Sequence, residues 1–164
     1  MRTPMTSLTL GLMLAALACG RKDAEPPAQA GSEPAAAPAA AGADLTPFQL
    51  KNGIGPVTTE ITLGPPDHAM AERGEKTFET KCSACHKFDE KYVGPALGGV
   101  LERRTPTYVM NMVLNPEGMY TRHPVAKQLL AEHLTQMPNL GLSQDEAREV
   151  VEYFRDQAAK SATK

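Results

Sequence analysis

Two cysteines three positions apart, with a histidine directly after the second, form the segment Cys82-Ser83-Ala84-Cys85-His86. Thiols at this spacing suit covalent attachment of a c-type haem. They add to the two vinyl groups, and the thioethers tether the ring to one turn of backbone. The imidazole of His86 is thereby brought under the iron as an axial ligand. Two other chemistries share part of the pattern. A zinc site takes about four N or S ligands, and His123 and His133 are the downstream histidines that could complete one. A thioredoxin-like redox pair sits in a βαβ setting, which the helical pattern around Cys82 does not supply.

Iron held by one histidine alone is open to ligands or chemistry, whereas a second protein ligand makes an electron carrier. The candidates are Met70, Met110, Met112, Met119, Met137, His123 and His133. Met110 and Met112 are two apart on a predicted helix and point to different faces, so at least one of them only packs. Met70 lies on a face assigned to helix contact. His133 falls within an amphipathic helix, where an exposed or partly buried side chain is expected. His123 precedes Pro124 at a helix start, where capping or exposure is expected. Met137 stands in the link between two helices, stiffened by Pro138 and flanked by Leu134, Leu140 and Leu142. It is the strongest candidate, with Met119 and the two histidines as alternatives.

The elements that must position these groups read as helices. Asp67 is an N-cap for a helix to about Lys81, with Met70, Gly74 and Phe78 on one face. Gly74 in mid-helix costs up to about 1 kcal/mol relative to Ala, which points to close approach of another helix. The segment Gly94 to Gly99 is a turn-rich loop. Thr105-Pro106 opens a helix that runs to about Leu114 and is ended by Asn115-Pro116. His123-Pro124 opens another, to about Leu134. Ser143 with Glu146 makes a capping box, and Ala147, Val150, Val151, Phe154 and Ala158 form an apolar stripe on the last helix. No segment alternates as a strand would. The expectation is an all-α domain over residues 67–160, with four to five short helices around one haem.

Residues 1–18 read as an export signal, with Arg2 ahead of an apolar run from Leu8 to Ala18 too short to span a bilayer. Ala16-Leu17-Ala18 before Cys19 fits ordinary secretory cleavage. It also resembles a bacterial lipobox, with Cys19 as the lipid-bearing first residue and Ala16 where Leu is usual. Residues 19–46, rich in Ala, Pro, Glu and Gly, read as a disordered tether, averaging roughly 30 Å end to end. Residues 47–66 read as an extended arm.

The chain has 164 residues, room for one domain plus tails, and a net charge of −2 that gives no nucleic-acid footprint. With four Phe, four Tyr and no Trp, the domain is poor in large core side chains. A buried porphyrin would supply flat apolar mass.

Across Ala69 to Ala158 the motifs together resemble the monohaem class I cytochromes c. The resemblance rests on Cys82-Ser83-Ala84-Cys85-His86, on Gly94-Pro95-Ala96-Leu97, on Met137-Pro138 before the last helix, and on Gly74 and Phe78 with Val150 and Tyr153 at a helix crossing. It implies the class I fold, a Pro95 carbonyl that accepts a hydrogen bond from His86, and Met137 as the axial methionine. It further implies haem-propionate partners at Arg103 or Arg104 and at Tyr108, which stands where Trp is more usual. The domain is also similar to small cytochromes found with nitrous oxide reductases.

The function so implied is one-electron transfer in a periplasmic respiratory chain, with no catalysis. The partners are redox proteins, with a nitrous oxide reductase among the candidates, and a membrane reached through the lipid on Cys19. Lys81, Lys87 and Lys91 near the haem motif offer a local steering ring, or are simply solvated. The competing readings are a peroxidase-like haem enzyme, which needs an open sixth position, and a gas or redox sensor, which needs a labile Met137.

Overall fold

The computed structural model describes residues 44–163. The predicted export signal, Cys19 and the tether up to residue 43 lie outside them. Among the described residues the structure is all-helical, with seven helices rather than four to five. They are α1 (Pro47–Asn52), α2 (His68–Lys81), α3 (Val100–Arg103), α4 (Pro106–Leu114), α5 (Pro116–Arg122), α6 (Pro124–His133) and α7 (Gln144–Ala162).

The caps explain most of the boundaries. Asp67 accepts from the Met70 amide at the start of α2, and Thr105 from the Tyr108 amide at the start of α4. Ser143 and Glu146 form the reciprocal box that opens α7. Four helices carry proline in their first turn, where the missing N–H costs no hydrogen bond.

The frame is the crossing of α2 over α7. Gly74 is buried at the crossing, and a Cβ there would run into the backbone carbonyl of Glu149. The close approach seats Phe78 among Phe88, Tyr153 and Phe154, with ring centroids 5.2, 5.4 and 5.9 Å away. Burying one such ring contributes about 1.5–3 kcal/mol. Val109 and Met110 of α4 complete this core with Val150 and Val151. A second core holds Leu45, Ile54, Tyr108, Met119 and Ala126.

Within residues 47–66, expected as an extended arm, only the first stretch departs from that reading. Thr46 and Gln49 make a capping box, and Pro47–Asn52 is helical. The rest is bound along α4 and α7: the Ile61 amide donates to Thr107 Oγ1 at 2.9 Å, and Arg155 donates to the Gly64 carbonyl at 2.9 Å. Ile54 and Val57 are buried. The end of the expected tether is also packed, since Leu45 is buried and Asp44 pairs with Arg122 at 3.2 Å. Apolar side chains in an otherwise polar run, with backbone groups satisfied by α4 and α7, hold this segment to the domain.

Two further helices were hidden by punctuation. Asn115-Pro116 ends α4 and also starts α5, because the Asn115 carboxamide caps the Gly118 amide and Pro116 is the first helical residue. α3 is a single turn directly after the predicted loop, entered through Gly99 at φ 63°.

Candidate functional site

The site begins where α2 stops. The Cys82 amide still bonds the Phe78 carbonyl at 2.8 Å, and the Ser83 amide joins it at 2.9 Å. The amides of Cys85 and His86 then both donate to the Cys82 carbonyl at 3.0 Å. This tight turn brings the two sulfurs and the imidazole together. Cys82 is buried, and burial pushes its thiol above the ordinary value.

After the turn the chain folds back on itself. Gly94, Leu97 and Gly98 donate to the carbonyls of Cys85, Lys87 and Phe88, each at 2.9 Å. The return lays Gly94 against the His86 ring, where a Cβ would collide with Cε1. It also sets the Pro95 carbonyl 3.0 Å from His86 Nδ1. A carbonyl can only accept, so Nδ1 carries the proton and Nε2 keeps a free lone pair. Burial holds the His86 imidazole below its ordinary value; the Pro95 carbonyl opposes that shift, and the charge of nearby His133 adds to it.

The opposite wall comes from the α6–α7 link. Leu134 ends α6 in the left-handed region at φ 53°, and residues 134–142 have no regular structure. Met137, Pro138 and Leu140 from this link line a cavity of about 400 Å³ together with Cys82, Cys85, His86 and Pro95. Val109, Met112 and Val113 of α4, and Leu129, Leu130 and His133 of α6, close it. Its volume lies within the range of ligand clefts.

Arg103, Arg104 and Tyr108 line the same cavity. Arg103 donates to the carbonyls of Gly98 and Ala96 at 2.8 and 3.3 Å. The Arg104 guanidinium lies 5.5 Å from the Tyr108 ring centre. The Tyr108 hydroxyl is buried without a partner, and burial pushes its pKa up. These three residues also border a second, more open hollow of about 530 Å³ that reaches Lys51 and His123.

These residues fit a covalently held haem. Two sulfurs and an imidazole with a free Nε2 share one turn, a thioether faces the same cavity, and most of the wall is apolar. The orphaned Tyr108 hydroxyl and two guanidinium groups suit carboxylates at one edge. A zinc site does not fit, since no group of three or more His, Cys, Asp or Glu side chains converges among the described residues.

Several residues sit differently from their sequence reading. Met119 is fully buried in the second core, and its sulfur accepts the Ile54 amide at 3.0 Å. His123 is the N-cap residue of α6, but its side chain makes no capping bond and is not exposed: its Nε2–H donates to the Leu50 carbonyl at 3.1 Å, and its ring meets Tyr108 edge-on at 5.2 Å. His133 is buried in the cavity wall, its side chain 4% exposed. The lysines near the motif are partly engaged: Lys81 and Lys91 pair with Glu146 and Glu132 at 3.9 Å, and Lys87 lies over Tyr92. Sequence reasoning passed over Met112 and the α6 leucines as cavity wall. Their helical spacing on α4 and α6 was the available signal.

Comparison with known proteins agrees with this geometry. Residues 71–158 match the family model described as Cytochrome c. A solved cytochrome c from Rhodothermus marinus is 47% identical, with a TM-score of 0.66, and the match covers 70% of this chain and 99% of that one. A cytochrome c2 from Rhodopseudomonas palustris is 40% identical over 47 residues, 29% of this chain and 33% of its own length. A cytochrome c-553-like protein from Synechocystis is 35% identical over 46 residues, 27% of this chain and 44% of its own length. The chain thus spans less than half the length of these curated relatives.

Proposed function

The chain belongs to the cytochrome c family, and from that premise we propose that it is a one-electron carrier with His86 and Met137 as the axial ligands of a single haem c. The observation that carries this reading is the pairing of a His86 ring whose Nδ1 is engaged by Pro95 with a Met137 side chain in the wall of the same cavity. Bound there, haem supplies a one-electron ferric/ferrous couple. Cys82 and Cys85 tether its edge. His86 offers Nε2, and the Pro95 carbonyl fixes the tautomer, orientation and basicity of the ring. Met137 offers a soft sulfur that favours the ferrous state and raises the potential relative to two imidazoles. With His86 and Met137 holding the group in both oxidation states, little of the chain would have to rearrange on transfer. Arg103, Arg104 and Tyr108 supply donors for the propionates.

The cellular setting follows from the N-terminal sequence. The chain is exported to the periplasm and held at a membrane by lipid on Cys19. No helix among the described residues is long and apolar enough to cross a membrane. Redox proteins dock briefly near Cys82 and Cys85, where Lys87 remains the least neutralised of the three lysines.

The test is optical and chemical. The purified protein should carry one haem that acid–acetone does not extract. Its ferric form should show the weak far-red band of sulfur–iron ligation, and its ferrous form should resist carbon monoxide. Extractable haem, or ready carbon monoxide binding, would overturn the reading.

A further inference from the structure

One more side chain in the cavity wall carries a lone pair with nothing to bind. His133, the last residue of α6, lines the cavity together with His86 and Met137. Its side chain is 4% exposed, and Nδ1 is buried without a hydrogen-bond partner. Nε2 stands 3.7 Å from Glu132 Oε1, beyond hydrogen-bond reach. Buried polar atoms are nearly always satisfied, so the orphaned Nδ1 calls for a ligand. It also lies near enough to His86 for the two rings to influence each other electrostatically.

The two possible donors are held very differently. His133 belongs to a helix, and the Leu134 amide closes its last turn on the Leu130 carbonyl at 2.9 Å. The Met137 segment has no regular structure. Its hydrogen bonds to the rest of the domain are long, Tyr120 to Gln136, Asn139 to the Leu114 carbonyl and Lys81 to the Leu140 carbonyl, each at 3.5 Å, and Leu142 packs on the core at its end. Such a loop is a low-stability unit that opens locally.

Building on the proposed haem ligation, we infer that His133 is a reserve axial ligand that takes the sixth position when Met137 leaves it. The exchange replaces one neutral donor by another, a thioether sulfur by an imidazole nitrogen, with no change in electron count. The protein would then have two six-coordinate forms, a high-potential His/Met form and a lower-potential bis-His form. Displacing Met137 would retune the carrier without opening it to small ligands.

The experiment compares the haem-loaded wild type, Met137→Ala, and the double variant Met137→Ala/His133→Gln. Wild type is read first: covalent haem and the far-red band establish the underlying ligation, and their absence would remove the premise and the inference together. With the premise in place, Met137→Ala should lose the band yet stay low-spin in the ferric state. It should bind carbon monoxide at least tenfold more slowly than the double variant, which should be high-spin. If Met137→Ala is already high-spin and matches the double variant in carbon monoxide rate, His133 is no ligand. Far-ultraviolet dichroism checks that α6 is intact, and Met137→Ala/His133→Asn replaces the double variant if the glutamine form does not fold.

Discussion

The carboxamide of Asn111 grips both backbone polar groups of Val57. Oδ1 accepts the Val57 amide and Nδ2 donates to the Val57 carbonyl, each at 3.0 Å. Nδ2 also donates to the Asn52 carbonyl at 3.0 Å. A side chain on α4 thus stands in for a neighbouring strand and holds the segment after α1 on the domain.

Asn111→Ala should therefore release that segment. Each buried backbone group left without a partner costs about 1–3 kcal/mol. The urea midpoint should fall, and limited proteolysis should cut within residues 53–61. An unchanged midpoint with an uncut segment would mean that the apolar contacts of Ile54 and Val57 suffice.

Met119→Ala separates packing from ligation. Its side chain is fully buried away from the cavity, so truncation should cost about 2–5 kcal/mol. The far-red band should survive. Loss of the band would move the sixth ligand from Met137 to Met119.

Stability should also depend on pH through His123. Burial holds this imidazole below its ordinary value of 6.5; the Leu50 carbonyl opposes the shift, and the charge of Arg104 adds to it. The unfolded chain takes up the proton near 6.5, whereas the folded chain takes it up only at lower pH. Between those values the unfolded state binds more protons, so stability falls as pH falls. Above about pH 7 the contribution is fully present. Urea midpoints should be level there and decline as the pH falls below about 6.5, and His123→Gln should flatten the decline. An equal decline in the variant would assign the dependence to other groups.

The anchor is tested at Cys19. Lipidation of a mature N-terminal cysteine attaches more than one acyl chain, enough for stable binding where a single chain is marginal. Wild type should sediment with membranes, and Cys19→Ala should release it. A soluble wild type with an unmodified N-terminal mass would favour ordinary secretory cleavage.

What could be read from the sequence was whatever a few adjacent residues determine. Cys82 to His86 is a single turn, so its spacing alone states its chemistry. Asp67, Thr105 and Ser143 cap within three residues of themselves, and their helices begin where expected. Pro95 and Met137 were reachable through resemblance to known motifs. Both line the cavity; Met137 could also be picked from its place in a proline-stiffened link between two helices, whereas Pro95 came through the resemblance alone. The burial of His123 was not legible, because its partner Leu50 lies 73 positions away in the chain. The same holds for Val57, whose partner Asn111 is 54 positions away. Asn115-Pro116 misled for another reason: one dipeptide both stops a helix and starts the next. Thr46-Pro47-Phe48-Gln49 did carry a capping-box signature, set in a run whose composition argued for disorder.

The crossing at Gly74 also governs how the molecule breathes. In chain order, the 94–98 loop and the Met137 segment both lie between α2 and α7. The crossing therefore pins the two ends of one long loop that contains most of the cavity wall. The entropic cost of closing such a loop grows only slowly with its length. With the ends pinned, the wall can part and return while the two helices stay docked. Amide exchange should accordingly be ranked, slowest in the crossing of α2 and α7 and fastest in residues 134–142. Moving Met137 out of the cavity wall is then a local excursion, and the protein need not unfold to make it.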